Sequence, residues 1–222
     1  MNLNPHVIRV VCYGDSYTWG YIPATKHERY SVKKRWTGVL QKILGDGFEI
    51  LEEGLNSRTL DSDDTRKGKE GRNGATTLIA CLDTHDPIDI VILMLGTNEL
   101  KDSFDRPASE ISQILEDKYL QVILQRKSQF KNQYPKLILI IPPALNLEKE
   151  YAFERYSKSA EKHTQMVEIL KNLAKKYSVP YINATEIVQV GDDGVHIDDT
   201  NHRKLAEAVA DKITVFMHQT LP

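Results

Sequence analysis

The chain has 222 residues, with 29 Lys and Arg against 31 Asp and Glu and a formal charge of -2. That length suits one α/β domain with a sizeable core, and the near-neutral balance leaves no electrostatic footprint for a nucleic-acid partner. No run approaches a membrane span, and the first residues, MNLNPHVIRVVCYG, lack the basic-then-apolar order of a signal peptide.

A cytoplasmic location with no membrane partner is therefore the expectation. The two cysteines, Cys12 and Cys81, show no metal-ligand spacing and read as core residues in a reducing compartment.

Short β-branched runs alternate with longer amphipathic ones. Val7 to Cys12 reads as a strand, and Trp36 to Leu44 as a helix with Trp36, Val39, Leu40 and Ile43 on one face. Phe48 to Leu51 is a second strand and Ala75 to Thr84 a helix. Ile88 to Leu95 is almost continuously apolar, as a central parallel strand buried on both faces should be. A long helix is predicted from Pro107 to Tyr134, then a strand from Lys136 to Ile141. A helix follows from about Tyr156 to Tyr177, a short strand from Tyr181 to Asn183, and a last helix from His202 to Phe216. This alternation predicts one doubly wound α/β domain over residues 1–222, its parallel sheet covered by helices on both faces.

In such sheets ligands bind outside the carboxyl ends of the strands. Four polar, glycine-containing stretches fall there: Tyr13-Gly14-Asp15-Ser16, the EEGLNSRT that starts at Glu52, GTNE from Gly96 to Glu99, and the GDDGVHIDDTNH before the last helix. Nucleophilic acyl transfer needs a hydroxyl, a base, a carboxylate to orient the base, and donors for the oxyanion. Ser16 can supply the hydroxyl and His196 the base. Asp193, three residues before His196, can hold the other imidazole nitrogen. Asn98 offers a side-chain N–H, Ser16 a backbone N–H at a strand-to-helix turn, and the Gly54–Ser57 loop a third donor. Each piece alone has an ordinary reading: a turn, a helix cap, a surface ion pair. Their joint order at successive strand ends favours the catalytic one.

With these stretches the chain resembles the SGNH (GDSL-type) hydrolases from Val7 to Phe216. GDSYTWG matches the first block, with Ser16 as nucleophile. GTNE matches the third, with Asn98 as oxyanion donor, and DGVH the fifth, with Asp193 and His196. RWTGVL, EEGLNSRT and MLGTNE are similar to the arylesterase and acyltransferase (perhydrolase) branch. The resemblance implies a three-layer α/β/α sandwich around a mostly parallel, five-stranded, flavodoxin-like sheet. It implies a serine esterase acting on small short-chain acyl or aryl esters, with acyl transfer to alcohols or peroxide as a further capacity. It also implies a homo-oligomer with a narrowed, apolar entrance.

Two departures stand out. The usual second-block glycine falls on Ser57, whose backbone N–H is the implied oxyanion donor, and Glu99 replaces an aspartate. Asp192 is the competing partner for His196, but spacing favours Asp193. Trp19, Leu55, Val195 and Ile197 flank these positions and are candidates for a small apolar acyl pocket, with core packing the alternative. The connections between Ser16 and Trp36 and after Ile141 are long and can cover the site or form a subunit contact.

Rival readings fare worse. Asp61 to Arg72 has Arg66 and Arg72 where a calcium loop needs Gly and Glu, and no His-Glu-x-x-His occurs. No metal or cofactor is expected for the chemistry. Neither a P-loop, a Gly-x-Gly-x-x-Gly, nor the Gly-x-Ser-x-Gly elbow is present. A carbohydrate O-acetyl esterase and a catalytically inactive binding domain remain as alternatives.

Overall fold

The computed structural model describes residues 6–104 and 106–218. Five parallel strands form one sheet: β1 (Ile8–Gly14), β2 (Phe48–Gly54), β3 (Ile90–Met94), β4 (Lys136–Ile141) and β5 (Tyr181–Asn183). Their spatial order is β2-β1-β3-β4-β5. The order reverses direction at β1, which is where a doubly wound sheet opens a crevice.

Alternation along the strands builds two cores. Val11, Tyr13, Val91, Leu93, Leu137 and Leu139 face one way, against helices α3 (Gly74–Thr84), α4 (Ala108–Leu115) and α7 (Ser159–Lys176). Val10, Cys12, Ile90, Ile92, Ile138 and Ile140 face the other, against α2 (Trp36–Leu44) and α8 (Asp199–His218). The expected α/β/α sandwich is therefore present. Cys12 is buried as expected, whereas Cys81, on α3, is only partly so.

Three sequence expectations change in detail. The helix predicted from Pro107 to Tyr134 ends at Gln125: after α4 come a π turn over Glu116–Leu120 and α5 (Gln121–Gln125). Beyond it the Ser128 hydroxyl accepts from the N–H groups of Phe130 and Lys131, a local bond that competes with helix, and Phe130 is exposed. The long connection after β4 contains a helix, α6 (Glu150–Tyr156), and α7 begins at Ser159. Asp102 sets that break by accepting from the N–H groups of Ser157 at 2.9 Å and Lys158 at 3.0 Å. The last helix begins at Asp199, because the Asp198 carboxylate accepts from the N–H of Asn201 at 2.8 Å.

His202 locks α8 to α2. It is fully buried, and its Nδ1 accepts the otherwise orphaned N–H of Trp36 at the start of α2, at 3.3 Å. Burial pushes its pKa down to about 3. Between about pH 6.5, where an unfolded histidine titrates, and about pH 3, the unfolded chain binds the extra proton. Stability therefore falls as pH drops through that window. His202→Gln keeps an acceptor and removes the proton, so its unfolding free energy, from urea titrations at a series of pH values, should fall less steeply there by up to about 1.4 kcal/mol per pH unit.

Candidate active site

The carboxyl end of β1 carries the site. Asp15 caps the short helix α1 (Ser16–Trp19), its carboxylate accepting the Tyr17 N–H at 3.1 Å. This turn places Ser16 at the first helical position. β2 ends beside it at Gly54, where an added Cβ would stand 2.2 Å from the Trp19 backbone nitrogen. Only glycine permits that approach. The following loop is tied back by the Leu55 N–H, which donates to the Gly14 carbonyl at 3.1 Å.

His196 reaches this point from the far end of the chain. Its Nε2 lies 3.0 Å from the Ser16 Oγ and its Nδ1 lies 2.7 Å from the Asp193 Oδ2. Asp193 Oδ1 accepts from the N–H groups of Val195 at 2.9 Å and His196 at 2.8 Å, closing a tight turn. Gly194 makes that turn with φ of 73°, and a Cβ there would meet the Asn146 carbonyl at 2.4 Å. Burial works to raise the Asp193 pKa but is outweighed by the His196 side chain and the two N–H groups, which hold its carboxyl below the usual range. Asp192 points away: its side chain is 90% exposed and its ion-pair partner is Lys149, at 3.8 Å.

A hydroxyl within reach of an imidazole that a carboxylate orients can be deprotonated as it attacks an acyl carbon. Ser16, Asp193 and His196 are each 6% exposed or less, so the charges of such a step would be weakly screened.

The expected oxyanion donors lie on neighbouring strand ends. Asn98 sits in a 3-10 turn (Thr97–Leu100) after β3. Its Nδ2 donates to the Arg58 carbonyl at 2.9 Å, and its Oδ1 accepts from the Lys101 ammonium at 2.7 Å. That second bond fixes the orientation of the amide, because an ammonium can only donate. Ser57 adopts φ of 66°, the left-handed conformation that a glycine takes freely. The serine holds it at a cost of about 1 kcal/mol. Glu99 is buried and accepts the Leu60 N–H at 2.5 Å, tying the Asn98 turn to the loop after β2. Its departure from aspartate thus has a structural contact to serve.

Several neighbours were not foreseen. Tyr21 stacks on the His196 ring, with centroids 4.2 Å apart, and the Ala24 N–H donates to Asp193 Oδ2 at 3.3 Å. The long connection before α2 therefore does cover the site. Arg58 is buried over the Tyr13 ring at 4.0 Å and donates to the Gly14 and Glu53 carbonyls. Burial pushes Lys101 down to about 8, Asp15 up to about 6 and Glu99 up to about 7.

Of the candidate pocket residues, Val195 and Ile197 are each 1% exposed, one in each hydrophobic core. Trp19 and Leu55 are half-buried and retain surface to meet a ligand. A groove of about 420 Å³ runs beside Lys101, lined among others by Asp64, Arg66, Asp102, Phe104 and Arg155.

The profile of the GDSL-like Lipase/Acylhydrolase family matches residues 12–204. The chain belongs to that family. The family member is similar in structure to Est24, a carbohydrate acetylesterase from Sinorhizobium meliloti, at 33% identity and a TM-score of 0.86, covering 94% of this chain and 99% of that one. It is similar to the aryl esterase of M. smegmatis at 34% identity and a TM-score of 0.85, with the same coverage of 94% and 99%. An acetylxylan esterase of Xylanibacter ruminicola is 26% identical over 224 residues, 91% of this chain but only 42% of that protein. This GDSL protein thus spans less than half of that curated relative. Its family and neighbours make it a carboxylic ester hydrolase. Among the described residues no helix is long and apolar enough to cross a membrane.

Proposed function

We propose that this esterase cleaves short-chain acyl esters through a Ser16 acyl-enzyme, with His196 as base and Asp193 as its orienting carboxylate. The unbroken hydrogen-bonded chain from Ser16 through His196 to Asp193 carries the proposal. His196 Nε2 takes the hydroxyl proton as Oγ bonds to the carbonyl carbon. The oxyanion then lies against the N–H groups of Ser16 and Ser57 and the Asn98 amide, which Lys101 polarises through Oδ1. The imidazolium protonates the departing alkoxide. Water releases the acyl group by the reverse sequence, and an alcohol or peroxide in its place gives acyl transfer.

The acyl group is small, because Ser16 is 5% exposed and Tyr21 walls the base. p-Nitrophenyl acetate should be turned over with a kcat/KM at least about tenfold above that of the octanoate, as a pocket closed to a few methylenes discriminates by that order. Equal rates on both would overturn the small pocket. A second reading, deacetylation of carbohydrates, is favoured by the charged groove beside Lys101. Acetate release from acetylated xylan above that from the aryl ester would select it.

We further propose a homo-oligomer. The segment after β4 leaves Tyr151 39% and Phe153 59% exposed beside the loop that holds Gly194, so a second copy would cover apolar surface near the entrance. Light scattering should read a multiple of 25.3 kDa, and a monomer would remove this inference.

A further inference from the structure

Three side chains of ligand type that the esterase mechanism does not use meet at the edge of the sheet. Glu53 lies on the outer strand β2, on the face that sends Leu51 into the α3 side of the core. Cys81 is on α3, and His85 follows four residues later, directly after that helix, on the same side. One donor atom from each of Glu53, Cys81 and His85 lies within 4.8 Å of the others. His85 Nε2 is 2.7 Å from Glu53 Oε1, and these side chains are 23% and 32% exposed, so an ion has a path from water. Sequence spacing alone does not reveal the group, because Glu53 comes from a different element.

We propose that Glu53, Cys81 and His85 bind a divalent transition-metal ion of the zinc class, with water in the fourth position. A sulfur, a nitrogen and an oxygen donor are the set that a borderline-soft cation takes, whereas calcium and magnesium take oxygen throughout. Bonds of about 2.0–2.3 Å to a tetrahedral centre put ligand atoms about 3.3–3.8 Å apart. Closing the cluster therefore asks for side-chain rotation of about 1 Å and an opening of the Glu53–His85 contact.

Binding displaces a proton: as the metal–sulfur bond forms, the Cys81 S–H bond breaks and one proton leaves to solvent. The ion would join the outer strand to α3. It would also brace the strand end that leads into the Ser57–Arg58 loop, where Arg58 donates to the Glu53 carbonyl and its own carbonyl holds Asn98.

The test is cobalt(II) added to the metal-free full chain, read by absorption, together with thermal unfolding in zinc. The expected result is a thiolate-to-cobalt charge-transfer band that saturates at one ion per chain and disappears when zinc is added. Zinc at a hundredfold excess over its Kd should raise Tm by about 5 °C or more. Cys81→Ser should abolish the band and the rise. Glu53→Gln, which keeps a hydrogen-bonding partner for His85, should weaken binding by about tenfold or more, and it serves if the serine variant does not fold. No thiolate band in the wild type, or an equal zinc shift in wild type and both variants, would overturn the site and leave Glu53 and His85 as a hydrogen-bonded pair.

Discussion

Ser16→Ala should lower kcat for p-nitrophenyl acetate by about 10⁴-fold or more while changing KM little. The reason is local. Ser16 Oγ is the atom that bonds to the acyl carbon, and it lies 3.0 Å from His196 Nε2. Alanine removes the nucleophile but leaves Asn98 and its Lys101 and Arg58 partners in place. A residual rate above that of water is therefore expected from binding and the oxyanion donors alone. Folding should be unaffected, because the capping bond at this turn belongs to Asp15. Activity within about tenfold of wild type would put the nucleophile elsewhere.

Asp193→Asn should cost kcat about 10⁴-fold with the fold intact. The asparagine oxygen can still accept the Val195 and His196 N–H groups that the Oδ1 atom accepts now. Its amide, however, would donate to His196 Nδ1, 2.7 Å away, and force the proton onto Nε2. An imidazole in that tautomer cannot take the Ser16 proton. Asp192→Asn is the control: that side chain is exposed and its ion-pair partner among the described residues is Lys149, so activity within about twofold of wild type is expected. The reverse outcome, loss in Asp192→Asn and retention in Asp193→Asn, would reassign the carboxylate. Because its neighbours hold Asp193 below the usual carboxylate range, the acid limb of the pH–rate profile should not report its titration above about pH 4.

Much of the fold was legible because parallel strands declare themselves. Ile90 to Met94 is buried at every position, so its sequence has no polar alternation to obscure it. The placement of Ser16, Asn98, Asp193 and His196 at one edge of the sheet was legible because each lies in a short stretch at a strand end, where chain order dictates position. Tyr21, Arg58 and Lys101 were not. The Tyr21 ring meets His196 only because the connection before α2 folds back, and nothing local marks that return. Arg58 and Lys101 act on a carbonyl and an amide, groups that no side-chain pattern advertises. Val195 shows the converse limit. Its place next to His196 suggested a pocket, whereas its carbonyl accepts the Tyr17 hydroxyl at 2.5 Å and its side chain fills the core. The helix expected from Pro107 to Tyr134 was overextended: Phe130 and Tyr134, inside that span, both lie exposed.

The most direct test of the Ser16 mechanism is covalent trapping with a fluorophosphonate, followed by peptide mass spectrometry. The mechanism predicts one phosphonyl group per chain, carried on Ser16, with loss of esterase activity in proportion and no labelling of Ser16→Ala. An active enzyme that stays unlabelled, or one labelled at another residue with equal loss of activity, would contradict it.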